Sequence, residues 1–193
     1  NNNDVNFLKQ MAYPKSGRTV EEELTNNIAT IGENMNIRRI ETLKILNGVV
    51  ISYVHNSVKE GLGRLGVLVS IKTDVKSDKL LAVGKQIAMH IAATSPQSLN
   101  IEELDEEIVE REKQILIDQA LASGKPKDIA EKMVIGRMQK FYQDVVLNEQ
   151  AFVIDGETKI KDVIIKLGND INSKVELTAF KRLTLGEGIE VAD

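Results

Sequence analysis

Val-Val-Ile-Ser-Tyr-Val at residues 49–54 and Val-Leu-Val-Ser-Ile at residues 67–71 decide the class of fold. Both are short runs rich in β-branched residues, the profile of a strand. In the second run Val67, Val69 and Ile71 alternate with Leu68 and Ser70, the two-residue period of a sheet with distinct faces. A polar, Gly-containing loop from His55 to Gly66 joins the runs, so the simple expectation is an antiparallel pair.

Outward from this pair the pattern turns helical on both sides. Val20 to Ile31 places Leu24, Ile28 and Ile31 on one helical face, and Gly32 is a natural stop. Asp78 to Ala93 repeats Leu80, Gly84, Ile87 and Ile91 at helical spacing, with Ser77 as its cap and Pro96 closing the segment. Asn100-Ile101-Glu102-Glu103 matches a capping box and predicts the start of a long charged helix with the stripe Ile101, Leu104, Ile108, Ile115 and Leu121. Ser123-Gly124 ends it, and Pro126 opens another helix whose stripe is Ala130, Val134, Met138 and Phe141. Two amphipathic helices joined by so short a connection fold back into an antiparallel hairpin, and its charge predicts that it projects from the body. Beyond it come a short strand or turn at Ala151–Gly156, a helix carrying Ile160, Val163, Ile164 and Leu167, and a last strand within Lys174–Leu185. Strands flank the hairpin on both sides. The expected architecture is α+β: two small antiparallel-sheet-and-helix lobes with an inserted antiparallel helical hairpin.

Composition narrows the function. The 193 residues are 42% hydrophobic and 28% charged, as in an ordinary globular protein, and with 4% aromatics and no Trp the core must be aliphatic. A net charge of -4 argues against a nucleic-acid binder, which needs a basic face to displace counterions. The absence of Cys excludes disulfides, thiolate metal sites and cysteine nucleophiles. No apolar run approaches the ~20 residues that span a bilayer, and no signal peptide is visible, so a cytoplasmic protein without membrane attachment is expected. The chain starts Asn1-Asn2-Asn3 without Met, as a fragment or processed product would.

Tempting motifs lack the context their chemistry needs. Gly61-Leu62-Gly63-Arg64-Leu65-Gly66 matches a dinucleotide fingerprint, but a dinucleotide turn must open a helix, and these glycines lead into a strand. It reads as a hairpin loop. No phosphate-binding P-loop exists, so direct nucleotide binding and a bound cofactor are not expected. His55 and His90, the two histidines, cannot build a multi-histidine metal centre. His90, inside an apolar helix, reads as a hydrogen-bonded residue at the core edge. His55, at the mouth of a loop, fits a contact residue and a plain loop residue equally. The carboxylates of Glu102–Glu112 read as a solvated helix face. No catalytic or metal-binding residues are expected, and the chain reads as a binding module rather than an enzyme.

Specific words carry the reading further. Ile-Gly-Glu-Asn-Met-Asn-Ile-Arg-Arg at 31–39, Leu-Gly-Val-Leu-Val at 65–69 and Gln-Ile-Ala-Met-His-Ile-Ala-Ala at 86–93 occur in order. They are followed by Ser-Gly-Lys-Pro-Lys-Asp-Ile-Ala-Glu-Lys-Met-Val-Ile-Gly-Arg-Met at 123–138 and Gly-Glu-Gly-Ile-Glu at 186–190. Together they resemble the bacterial elongation factor Ts family over nearly the whole chain. The resemblance implies a core subdomain N over 1–76 and a subdomain C in two parts, 77–98 and 146–193, with the dimerisation hairpin 99–145 between them. It implies a guanine-nucleotide exchange factor that binds elongation factor Tu and promotes GDP release, breaking no covalent bond. The coupling is negative: factor and GDP each lower the other's affinity by the same ratio.

The resemblance also assigns contact residues. Ile31, Gly32, Glu33 and Asn34 correspond to the family's turn against the GTPase domain, although Glu33 and Asn34 also fit a purely structural part. His55 corresponds to the histidine after the family's Ser-Tyr strand, here followed by a longer loop, Asn56–Gly63. Phe152-Val153-Ile154 resembles the segment touching the third domain of elongation factor Tu, with Val153 and Ile154 as apolar contacts. The family's Thr-Asp-Phe-Val motif, whose Phe wedges beside the nucleotide, belongs just before residue 1, and neither it nor the N-terminal helical domain is within these residues. The expectation is that this stretch supplies docking surfaces, binds weakly and exchanges GDP poorly. Some family members pair through core and hairpin, which leaves a homodimer open and gives the alternative reading: an interaction module without useful exchange activity.

Overall fold

The computed structural model describes residues 3–124 and 126–189. Lys125 of the 123–138 run and Glu190 of the closing run lie outside the described residues, as do Asn1, Asn2 and 191–193. The chain forms two compact units, Asn1–Thr42 and Leu43–Asp193.

In the first unit, α1 (Val5–Gln10) starts at Asp4, whose carboxylate accepts the N–H groups of Asn6 and Phe7. Helix α2 (Val20–Ile31) has the bounds its periodicity predicts. It opens on a complete capping box: the Glu22 N–H donates to Thr19 Oγ1 at 3.2 Å, and the Thr19 N–H donates to the Glu22 carboxylate at 2.7 Å. It ends because Gly32 turns left-handed, at φ 80°, and donates its N–H to the Ile28 carbonyl. Thr19→Ala removes one half of the box and is expected to cost about 1 kcal/mol, read as a lower urea midpoint with unchanged slope.

The second unit is built on one antiparallel sheet of β1 (Gly48–His55), β2 (Leu65–Lys72) and β3 (Glu176–Thr184), in the order β1-β2-β3. The α+β class is thus observed. All three strands share this sheet, where the sequence reading distributed them over two lobes, and the boundary expected at residue 76 lies inside the second unit. The pairing of β2 with β3 joins residues more than a hundred positions apart, which no local pattern specifies. Ser70 and Thr178 fasten it through hydroxyls 2.8 Å apart.

Helix α3 (Asp78–Thr94) lies across β1 and β2, capped by Ser77 as expected, and buries Leu80, Gly84, Ile87 and Ile91. Gly84 permits the close approach, since a Cβ there would sit 2.0 Å from Ile51 Cδ1. Helix α6 (Ile160–Asp170) adds Ile160, Ile164 and Leu167 to the same aliphatic core. Gly61 and Gly63 lie in the β1–β2 connection and Gly66 pairs within β2, so the glycine-rich run leads into a strand.

Helices α4 (Glu106–Ala122) and α5 (Lys127–Val145) pack on one another, and Arg137 Nη1 donates to Gln119 Oε1 at 2.7 Å. Two local expectations change here. Asn100 caps nothing; its Nδ2 donates to Glu103 beside a single 3-10 turn, Ile101–Glu103, and α4 starts later, where Asp105 accepts the Glu107 N–H. Ile115 and Leu121, placed in the α4 stripe, are exposed, and the buried positions are Leu116 and Ala120. Counting the bulkiest apolar residues missed a seam where a small Ala lets two helices approach. The α5 stripe is as read, with Ala130 and Met138 buried and Val134 and Phe141 half-buried.

Candidate protein-docking site

The residues singled out in sequence fall at three places. Ile31 ends α2 and is 58% exposed, with Gly32, Glu33 and Asn34 following in exposed, irregular chain. They belong to the first unit. His55 closes β1 in the second unit, opposite Leu65 of β2. Its Nδ1 lies 2.9 Å from the Tyr53 hydroxyl on the same strand, which fixes the ring against β1.

Val153 and Ile154 stand together on a tight turn between Ala151 and Lys159, and both are exposed, at 45% and 56%. The turn that carries them is fixed by its own hydrogen bonds. Here Phe152 is buried, its N–H donates to the Thr158 carbonyl at 2.8 Å, and the Gly156 N–H returns to the Phe152 carbonyl at 2.7 Å. Asp155 accepts the N–H groups of Glu157 and Thr158 at 3.0 and 2.9 Å, and these bonds hold its carboxyl below the usual range.

Behind the turn lies His90, fully buried on α3. Its Nδ1 accepts the Val153 N–H at 3.3 Å, which requires the proton on Nε2, and Nε2 then donates to Gln150 Oε1 at 2.9 Å. Gln150 Nε2 donates onward to the Asp144 carbonyl in α5 at 2.8 Å. The sequence reading of His90 as a hydrogen-bonded core residue holds, but it missed the partners, because Gln150 and Val153 are 60 and 63 residues away.

Burial lowers the His90 pKa below the ordinary imidazole value, with the Gln150 bond opposing in part. The neighbouring charges are paired among themselves: Glu149 with Lys159 at 2.6 Å and Lys161 at 2.7 Å, and Asp144 with Lys140 at 3.0 Å. Above the unfolded-state pKa of about 6.5, His90 is neutral in both states and the fold has its full stability. As pH falls below that value only the unfolded chain takes up the proton, so stability drops toward the folded-state pKa by at most about 1.4 kcal/mol per pH unit. Glu149 and Asp155, whose carboxyls are held low, act at more acid pH. Urea unfolding at pH 7.5 and 5.5 should therefore show a loss that His90→Asn largely removes.

An open cleft of ≈ 490 Å³ near this network is lined by Gln150 and by Lys140, Asp144, Glu149 and Lys159, whose charges form the ion pairs just described. Among the described residues no three His, Cys, Asp or Glu side chains are grouped as a metal ion would need. Among the same residues no helix is long and apolar enough to cross a membrane.

The family described as elongation factor TS matches residues 1–187. A protein of Rhodospirillum rubrum named elongation factor Ts is 54% identical over 188 residues, covering 97% of this chain and 61% of that protein. Its namesakes in Rhodospirillum centenum and Magnetococcus marinus are 51% and 50% identical, with 98% and 97% of this chain and 62% and 60% of theirs covered. This chain belongs to the elongation factor Ts family. It spans about three fifths of the length of the curated relatives it matches.

Proposed function

We propose that this chain is the core of a translation elongation factor, a guanine-nucleotide exchange factor that binds elongation factor Tu in the bacterial cytoplasm and promotes GDP release without covalent catalysis. The observation that carries the reading is Val153 and Ile154: two apolar side chains exposed on a turn pinned from behind, in a segment that resembles the family's partner-contact segment. Ile31 and Gly32, with Glu33 and Asn34 beside them, supply a second contact, and His55 a third. In this reading residues 99–145 are a hairpin inserted between the two parts of subdomain C. In the same reading these residues supply docking surfaces rather than the wedge that displaces GDP.

The test is GDP release from elongation factor Tu, followed with a fluorescent nucleotide, for the 193 residues and for a version extended upstream. Slow release with the first and fast release with the second are expected; equal rates refute the division of labour, and no binding by either refutes the reading. A second reading, pairing of two copies, is favoured by Ile115, Leu121, Ile129 and Ile135, all exposed on α4 and α5. Sedimentation of the purified chain decides it: a monomer at all concentrations eliminates pairing.

A further inference from the structure

His90 is a buried polar residue on a helix that makes no contact role for itself, yet both ring nitrogens are committed to other elements. Satisfying a buried imidazole needs only nearby polar groups, and the α3 backbone or a water could serve. Here one nitrogen takes the N–H of Val153, the residue that displays an exposed apolar side chain, and the other reaches α5 through Gln150. The Asp144 carbonyl, which can only accept, takes Gln150 Nε2 and so turns Oε1 toward His90, and the Thr94 hydroxyl lies 2.9 Å from both the His90 carbonyl and Gln150 Oε1. Phe152 packs its ring 6.0 Å from the imidazole, so the turn is held by a side chain on one residue and a backbone group on the next.

We propose that His90 is a positioning residue for the Val153–Ile154 docking surface, its Nδ1 locking the Val153 backbone so that both apolar side chains are presented in one fixed arrangement. The inference rests on the reading of this turn as a partner contact. Its physical content is preorganisation: a turn already ordered in the free protein loses little entropy on binding.

Two amide substitutions separate the hold from mere packing. His90→Asn puts an amide oxygen near the place of Nδ1 and keeps an acceptor for Val153. His90→Gln puts an amide nitrogen near the place of Nε2, keeps the donor to Gln150 and loses that acceptor. Both lose the ring. Amide hydrogen exchange at Val153 in the free protein should be faster in His90→Gln than in His90→Asn by about tenfold, the effect of one lost hydrogen bond. Affinity for elongation factor Tu should follow, about tenfold weaker in His90→Gln and within about twofold of the parent in His90→Asn. Equal exchange and equal affinity in the two variants overturn the proposal and leave His90 a packing residue. Failure of the parent protein to bind, with the exchange difference present, overturns the contact reading and leaves the hold intact. If neither variant folds, nitrogen-15 shifts of His90 in the unaltered protein decide: protonated Nε2 with bare Nδ1 at neutral pH supports the hold, and protonated Nδ1 overturns it.

Discussion

Replacing Val153 and Ile154 together by Asp is expected, under the proposed function, to weaken binding to elongation factor Tu by about a hundredfold or more, with the melting temperature nearly unchanged. Both side chains are exposed, so the free protein loses little when they change. An apolar anchor buried at an interface contributes on the order of 2 kcal/mol or more, and a carboxylate forced into the same place must be desolvated as well. The Asp155 turn and the Val153 backbone bond are untouched, so the scaffold that carries the substitutions remains. Titration calorimetry with the GDP form of the partner, beside a thermal melt, reads both quantities. Undiminished affinity would remove this turn from the interface.

Gly48→Ala is expected to damage the fold instead, by about 3 kcal/mol, which lowers the melting temperature by roughly 6–12 °C in a chain of this length. Gly48 begins β1 at φ 146°, and a Cβ there would lie 2.1 Å from the carbonyl oxygen of Ile71 in the neighbouring strand. Backbone cannot swing aside as a side-chain tip can, so either the β1–β2 register opens or the strand end distorts. Gly66→Ala is the control. It too is a strand glycine on this sheet, but a Cβ there meets nothing within 4 Å, and its substitution should shift stability by no more than about 0.5 kcal/mol. Similar losses at both positions would show that strand entropy, and not the Ile71 carbonyl, governs Gly48.

Local patterns were legible wherever a segment's own residues decide its state. The Leu24, Ile28, Ile31 face with Gly32 behind it named both ends of α2, and Ser77 named the start of α3. Turn chemistry failed at the start of α4, where Asn100 alone was read as the cap. Asn100 and Asp105 both precede helical sequence, and only Asp105, whose carboxylate reaches the Glu107 N–H, begins a sustained helix. The α4 stripe failed because Leu116 and Ala120, one turn apart, are the buried positions, and Ile115 and Leu121, each one residue off, point about 100° away from that face. Of the candidate contacts, the exposure of Ile31, Val153 and Ile154 could be anticipated from their turn positions, whereas the Tyr53 partner of His55 follows from strand geometry two residues back.

The sequence by itself determined most of the helices, the strands, the aliphatic core and, through its family words, the kinship with elongation factor Ts, while α1 and the start of α4 escaped it. Those are properties of short segments, set by periodicity, capping and the residue types a turn tolerates. Tertiary structure decided that β3 completes the sheet of β1 and β2, and that His90 reaches across to hold the turn bearing Val153 and Ile154. Both depend on chain closure over long separations, where partners are chosen by the packing of the whole core and not by any neighbour in sequence. For that reason the candidate contact residues could be named from the chain, while the hydrogen bonds around two of them could be seen only in the fold.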